Sequence, residues 1–256
     1  MIASILICTN ICDEHTINSI NSCLRQKTDI LFEVVVISNG AQRFSITKTL
    51  EQYYGNVLKI INSPQVGLTA NLNEGLKHCS GKFIVRFDSD DITRDDRIEK
   101  QVGFMLKNPN VDISFSHAAI INECDRITGL YSSADPSSFW FLIFSNYVCH
   151  PTVCMKKSSI SKELGYRHKF GCEDYDLWMR LYFVKGANFE LLQENLICYR
   201  NFSENGFRRN PKVYLTTAFS KIEIAIAARH PKLLLGAIFS FGLALYYYII
   251  NFRWNN

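Results

Sequence analysis

Three aspartates, Asp88, Asp90 and Asp91, stand together in the segment FIVRFDSDDITRDDR (83–97), directly after a run of apolar residues. Carboxylates collected at one point repel one another, and folding alone gains nothing from gathering them. A hard divalent cation resolves that repulsion, because Mg²⁺ and Mn²⁺ prefer oxygen ligands and keep coordination positions open for substrate phosphates. The spacing reads as a metal–diphosphate site, with Mn²⁺ or Mg²⁺ as the ion. The same residues also suit a polar turn before a helix, with Asp95 and Asp96 as first-turn acids. The elements around them decide between the two readings.

Phe83, Val85 and Phe87 alternate with Ile84 and Arg86, the period-two pattern of a strand that delivers Asp88 at its carboxyl end. Residues 5–8 and 33–37 are short apolar runs suited to buried parallel strands, and Ile17, Ile20 and Leu24 recur between them at helical spacing. A third strand is expected at 57–61. Leu68, Leu72, Leu76 and Cys79 share a helical stripe with Gly81 just past its end. Further on, 97–107 reads as a helix stopped by Asn108-Pro109, 111–115 and 118–121 as strands, and 173–185 as a helix capped by Gly186. The loop-rich, aromatic stretch 123–172 offers no clear pattern. The fold class expected is α/β, an open, mostly parallel sheet flanked by helices, with ligands at the strands' carboxyl ends. Thr9-Asn10, Ser38-Asn39-Gly40 and the aspartate cluster all fall at such ends.

Composition narrows the function. A net charge of +4 is too mild for a nucleic-acid binder. Nine scattered cysteines without a CxxC pair point to reduced thiols in a cytosolic compartment. The opening apolar run, 2–8, lacks the features of a secretory signal. Residues 233–252 carry no charge, between Arg229, His230 and Lys232 on one side and Arg253 on the other. As a helix this stretch would reach roughly 30 Å, the thickness of a bilayer's hydrocarbon core. Tyr246, Tyr247 and Tyr248 resemble an aromatic interfacial belt. Membrane contact is expected, as a span or as an interfacial helix.

In order along the chain, SILICTN, EVVVISNG, GLTANLNEGLKHCSGKFIVRFDSDD, DDRIEKQVGFMLKNPNVDIS, HPTV and EDYDLWMRL resemble the successive motifs of the family 2, GT-A-fold glycosyltransferases. These are inverting enzymes that use nucleotide-activated sugars. The resemblance implies a GT-A catalytic domain at 1–205, with a nucleotide-sugar-binding half (1–122) and an acceptor half (123–205), then a helical tail at 206–256 holding the membrane-associated segment 233–252. It implies that Thr9 and Asn39 line the base pocket, that Asp88 and Arg86 serve the nucleotide sugar, and that Asp88 with Asp90 or Asp91 holds the metal. Asp174 would be the base that takes the acceptor hydroxyl proton, at a helix start whose dipole favours its ionised form. Glu173 is its alternative or support, and Asp176 a further rival. His150 and Trp178 read as structural, and Arg97 either orients the aspartates or is solvated. Two departures from the family stand out: Ser38-Asn39 replaces the usual aspartate pair, so the Asn39 amide oxygen would meet a uracil N–H, and Asn201-Phe202 stands where relatives place a histidine.

The expected function is metal-dependent, inverting transfer of one sugar, Glc or Gal in β-linkage, from a UDP-sugar. The expected acceptor is a polyprenyl-diphosphate-linked glycan of O-antigen or surface-polysaccharide assembly. Membrane lipid would be a partner, at a bacterial inner membrane with the catalytic domain facing the cytoplasm. An idle nucleotide-sugar-binding scaffold, or transfer to a non-lipid acceptor, are the alternatives.

Overall fold

In the computed structural model, which describes residues 1–160, 165–167, 169–201 and 210–254, β1 (Ala3–Thr9) is buried along nearly its whole length. β2 (Phe32–Ser38) and β4 (Phe83–Asp88) flank it in parallel, and β3 (Lys59–Asn62) extends the sheet beyond β2. Both faces are covered, so ASILICT and FEVVVIS run apolar without alternation. Leu6, Val35 and Ile84 enter one hydrophobic cluster, and Ile5, Val34 and Phe83 enter the other.

α1 (Glu14–Leu24) starts at Asp13, whose carboxylate accepts the Thr16 N–H at 2.9 Å. α2 (Arg43–Tyr54) escapes sequence reading because it buries only Ile46 and Leu50. α3 (Leu68–His78) buries Leu72 of the expected stripe but leaves Leu68 exposed, and it lies close on β1: a Cβ at Gly75 would stand 2.3 Å from a Leu6 methyl. Gly81 is not its cap. The helix ends at Cys79, and glycine is needed at 81 because a Cβ there would meet the Ala3 backbone at 2.4 Å.

The later strands are β5 (Ile92–Thr93), β6 (Ile113–Ile121), β7 (Ile127–Tyr131), β8 (Cys154–Lys156) and β9 (Phe189–Arg200). The sheet order is β3-β2-β1-β4-β8-β6-β9-β5, with β7 on β6. It is mixed, which corrects the expectation of a mostly parallel sheet. β8 enters antiparallel to both β4 and β6, and β5–β9 and β6–β7 are antiparallel as well. The strand–helix alternation that implies parallel pairing ends with β4. The two strands expected at 111–115 and 118–121 are one, β6, whose register against β9 shifts around His117. α4 (Gly103–Lys107) grows out of a π-helical turn at Ile98–Val102. α5 (Glu173–Met179) continues as a π-helical turn, Arg180–Val184, and Gly186 follows at φ 64°.

α6 (Pro211–Ala227) and α7 (Lys232–Trp254) form a hairpin at the end of the chain. The expected domain boundary at 205/206, and Phe202, lie outside the described residues. Tyr214 stacks on Tyr247 at 5.1 Å between ring centres, and Phe219 meets Phe241 edge-on at 5.6 Å. α7 is the one helix among the described residues long and apolar enough to cross a membrane, by length and composition only. Its first half is docked on the rest of the chain: a Cβ at Gly236 would stand 2.0 Å from the Ile143 carbonyl oxygen. The fully buried Lys221 of α6 donates to Ser240 Oγ at 2.9 Å and to Gly236 O at 3.3 Å.

Candidate active site

β4 ends in Asp88, paired in register with Cys8 of β1, so its carboxylate stands at the carboxyl edge of the sheet. Arg86, 1% exposed, donates from Nη2 to Asp88 Oδ1 and from Nη1 to the Phe87 carbonyl. Arg97 is buried rather than solvated. It bonds Arg86 O at 3.1 Å, Pro151 O at 2.9 Å and Gln101 Oε1 at 3.0 Å, tying β4 to the segment before β8.

Asp90 and Asp91, adjacent in sequence, take different positions. Asp91 is fully buried and its Oδ1 accepts the Arg200 N–H at 2.8 Å, tethering β9 to the aspartate loop. Burial, then the charges of Asp88 and Asp90, push its carboxyl well above the ordinary range. Asp90 stays partly exposed. Burial and the Asp88 charge push its carboxyl up to about 6. Arg200, not singled out from the sequence, donates through Nε to Asp90 O at 2.7 Å, through Nη1 to Asn122 O at 2.7 Å and through Nη2 to Asp125 Oδ1 at 2.5 Å.

The three aspartates do not form a cage: among the described residues no three His, Cys, Asp or Glu side chains converge for a metal. Asp88 and Asp90 nonetheless keep partly exposed hard oxygen donors, close enough that the Asp88 charge adds to burial in raising the Asp90 carboxyl. That donor set fits a divalent cation held by two carboxylates, with the other positions open to diphosphate and water.

At the next strand ends, Asn39 donates from both its backbone N–H and Nδ2 to Thr9 O, each at 2.9 Å, which leaves the amide oxygen as its acceptor. Thr9 is 2% exposed and its hydroxyl donates to Ile11 O at 2.6 Å. It shapes this turn and does not present a hydroxyl.

Glu173 and Asp174 open α5. Asp174 Oδ2 accepts from Asn146 Nδ2 at 2.9 Å and Oδ1 from the Tyr175 N–H at 2.7 Å. The expected dipole effect is outweighed: burial raises the Asp174 carboxyl despite both donors, and burial with the Asp174 charge pushes Glu173 up to about 7. Asp176 does not line that side of the helix start: its carboxylate is buried among donors of its own. Burial alone would raise it, but Arg167, Arg180 and Ser220 donate to it and hold it below the usual carboxylate range, fastening α5 to α6. Asn146 carries no sequence signal, since nothing patterned surrounds it.

Asp88, Glu173 and Asp174 line one pocket of about 540 Å³, walled also by Tyr131, Tyr199 and Tyr214. His150 sits in its wall as a structural group. Its Nε2 lies 2.8 Å from the Tyr166 hydroxyl, its ring meets the buried Trp178 edge-on, and burial keeps it well below its ordinary pKa.

Carboxylates at the sheet edge on one side of a pocket face a half-buried acid pair on the other, within an α/β fold of the GT-A type. The sequence model of glycosyl transferase family 2 matches residues 4–160, and the chain belongs to that family, the one its motifs resemble. It is a glycosyltransferase. It is 33% identical over 201 residues to the O-antigen biosynthesis glycosyltransferase WbnJ of Escherichia coli, covering 77% of this chain and 78% of that one. It is 32% identical over 184 residues to the UDP-Gal:alpha-D-GlcNAc-diphosphoundecaprenol beta-1,3-galactosyltransferase of Escherichia coli, 69% of this chain and 66% of that one. Among solved structures, Staphylococcus aureus TarS 1-349 in complex with UDP-GlcNAc superposes with a TM-score of 0.70 at 18% identity, over 94% of this chain and 73% of that one. Enzymes of this fold commonly work with a divalent metal.

Proposed function

We propose that the chain transfers one hexose, Glc or Gal, from a UDP-sugar to a polyprenyl-diphosphate-linked glycan, inverting the anomeric centre to give a β-linkage. The observation that carries this reading is the single pocket that Asp88 shares with Glu173 and Asp174. Bacterial relatives named for UDP-sugar donors and diphosphoundecaprenol acceptors support the substrate class. The work would belong to O-antigen or surface-polysaccharide assembly, on the cytoplasmic face of the inner membrane, where such lipid-linked acceptors meet soluble nucleotide sugars.

Asp88 and Asp90 would hold Mn²⁺ or Mg²⁺, which when bound neutralises the charge on the departing diphosphate. The Asn39 amide oxygen accepts from the uracil N–H. Asp174 takes the acceptor hydroxyl proton as that oxygen bonds to the anomeric carbon. The bond from that carbon to the phosphate oxygen breaks, and its electron pair leaves with UDP. Asn146 and the Tyr175 N–H fix the carboxylate in place. Glu173 keeps a second, partly protonated acid beside it.

Incubating the purified chain with UDP-Glc or UDP-Gal, a divalent cation and GlcNAc-α-diphosphate lipid tests the reading. A β-linked disaccharide, seen in the anomeric proton coupling, is the expected product. An α-linked product, or donor binding without transfer to any acceptor, would overturn it.

A further inference from the structure

Behind Asp174, on the side away from the aspartate cluster, lies a second cavity of about 460 Å³. Its walls are Phe144 and Tyr147, Val213 of α6, and Phe239 and Leu243 of α7. It adjoins the active-site pocket: Ser145, Asn146, Gly171, Asp174 and Tyr214 line both. The two cavities differ in chemistry. The first is bordered by acids and tyrosine hydroxyls; the second is mostly hydrocarbon and aromatic ring. The far wall of the second belongs to α7, which also carries Leu235, Ile238, Leu245 and Ile249 exposed at the surface. The mostly apolar cavity beside the base is thus walled by a helix whose other residues form an apolar outer face. A sugar that ended in water would gain nothing from that arrangement. A molecule with a sugar at one end and hydrocarbon at the other matches it in order.

We infer that this cavity receives the first isoprene units of the acceptor, so that the sugar lies beside Asp174, the diphosphate lies at the shared wall, and the lipid leaves past Phe239 and Leu243 of α7. This rests on the polyprenyl-linked acceptor proposed above. It also assigns α7 a place in substrate binding. The docking of Gly236 against Ile143 O, and the bonds from Lys221 to Gly236 and Ser240, hold the helix against the rest of the chain. With its first half so engaged, α7 lies along the membrane surface as a wall of the acceptor passage.

The test compares two synthetic acceptors that share GlcNAc-α-diphosphate, one ending in a methyl group and one in a fifteen-carbon isoprenoid. The full chain and two variants, Leu243→Asn and Phe239→Asn, are assayed. Both positions are at least partly exposed, so folding should survive; thermal unfolding and the donor KM verify that it does. The wild type should show a lower KM for the isoprenoid acceptor. Each variant should raise that KM by about tenfold, the scale of losing contact with a few buried methylenes. The methyl acceptor and the donor should keep theirs. Equal KM values for the two acceptors in the wild type, or equal effects of the variants on both, would overturn the lipid assignment while leaving the transferase reading intact. Transfer to neither acceptor from any UDP-sugar would instead sink the acceptor class, and this inference with it.

Discussion

Asn146 Nδ2 donates to Asp174 Oδ2 at 2.9 Å, and this bond joins a residue from an unpatterned loop to the acid that opens α5. It does two things for the carboxylate: it fixes the orientation of the oxygen pair, and it favours the ionised form against burial, which pushes the other way. Removing it should therefore be felt in rate and in pH dependence together. For Asn146→Ala we expect kcat to fall by roughly 10–100-fold, the scale of one hydrogen bond to a charged group. The acidic limb of the pH–rate profile should also move to higher pH, because a donor that stabilised the carboxylate is gone. A rate loss with no movement of the limb would mean that Asn146 only supports the loop.

Partial burial and the charge of Asp174 beside it push the Glu173 carboxyl up to about 7. Asp174 acts only when deprotonated and burial raises its carboxyl, so activity should fall on the acidic side at a higher pH than an ordinary aspartate would give. Glu173→Gln removes a negative neighbour of Asp174 and should carry the acidic limb to lower pH. Rates measured between pH 5 and 9 for the wild type and this variant decide the point; an unchanged limb would show that the two acids do not sense each other.

The division between Asp90 and Asp91 predicts two kinds of damage. Asp90→Ala should abolish transfer and weaken donor binding, and excess chelator should do the same to the wild type, with Mn²⁺ or Mg²⁺ restoring it. Asp91→Ala should chiefly destabilise the fold, by about 1–3 kcal/mol, since it removes a buried acceptor and leaves the Arg200 N–H without its partner. Calorimetric donor binding and thermal unfolding, measured on both variants, separate the two. Full activity in excess chelator would refute the metal reading.

Lys221 gives a stability prediction. Burial pulls its amine down to about 7 in the folded chain, against about 10.4 for an exposed lysine. Between those values the unfolded chain binds the extra proton, so stability should rise with pH from about 7 to about 10. In Lys221→Met that rise should flatten. Unfolding midpoints recorded across this window for both chains check it, and a slope that persists in the variant would assign the linkage to another group.

The first half of the chain was largely legible because its signals are local. β1, β2 and β4 are apolar runs bounded by polar turns, and α3 repeats Leu68, Leu72 and Leu76 on one face. β9 was not, because Gln193, Glu194 and Asn195 interrupt its pattern where its register against β6 shifts. The candidate site divides in the same way. The aspartate cluster and the Glu173–Asp174 pair are visible as residue types. The difference between Asp90 and Asp91 is set by Arg200, 109 residues from Asp91, and no local pattern announces a partner at that distance. The position of α7 was equally hidden. Its composition indicates hydrocarbon on some side, but the buried Lys221 beneath it belongs to another helix.

In the proposed mechanism Asp174 acts as the base while the sheet-edge aspartates bind the donor. Asp174→Asn keeps the side chain's size and removes its basicity, so donor affinity measured by calorimetry should be unchanged. Turnover in the same preparation should fall by about 10²–10⁴-fold. If Asp174→Asn turns over like the wild type while Glu173→Gln is inactive, the base is the neighbouring acid. If both variants retain wild-type turnover, the inverting mechanism proposed for this pocket is wrong.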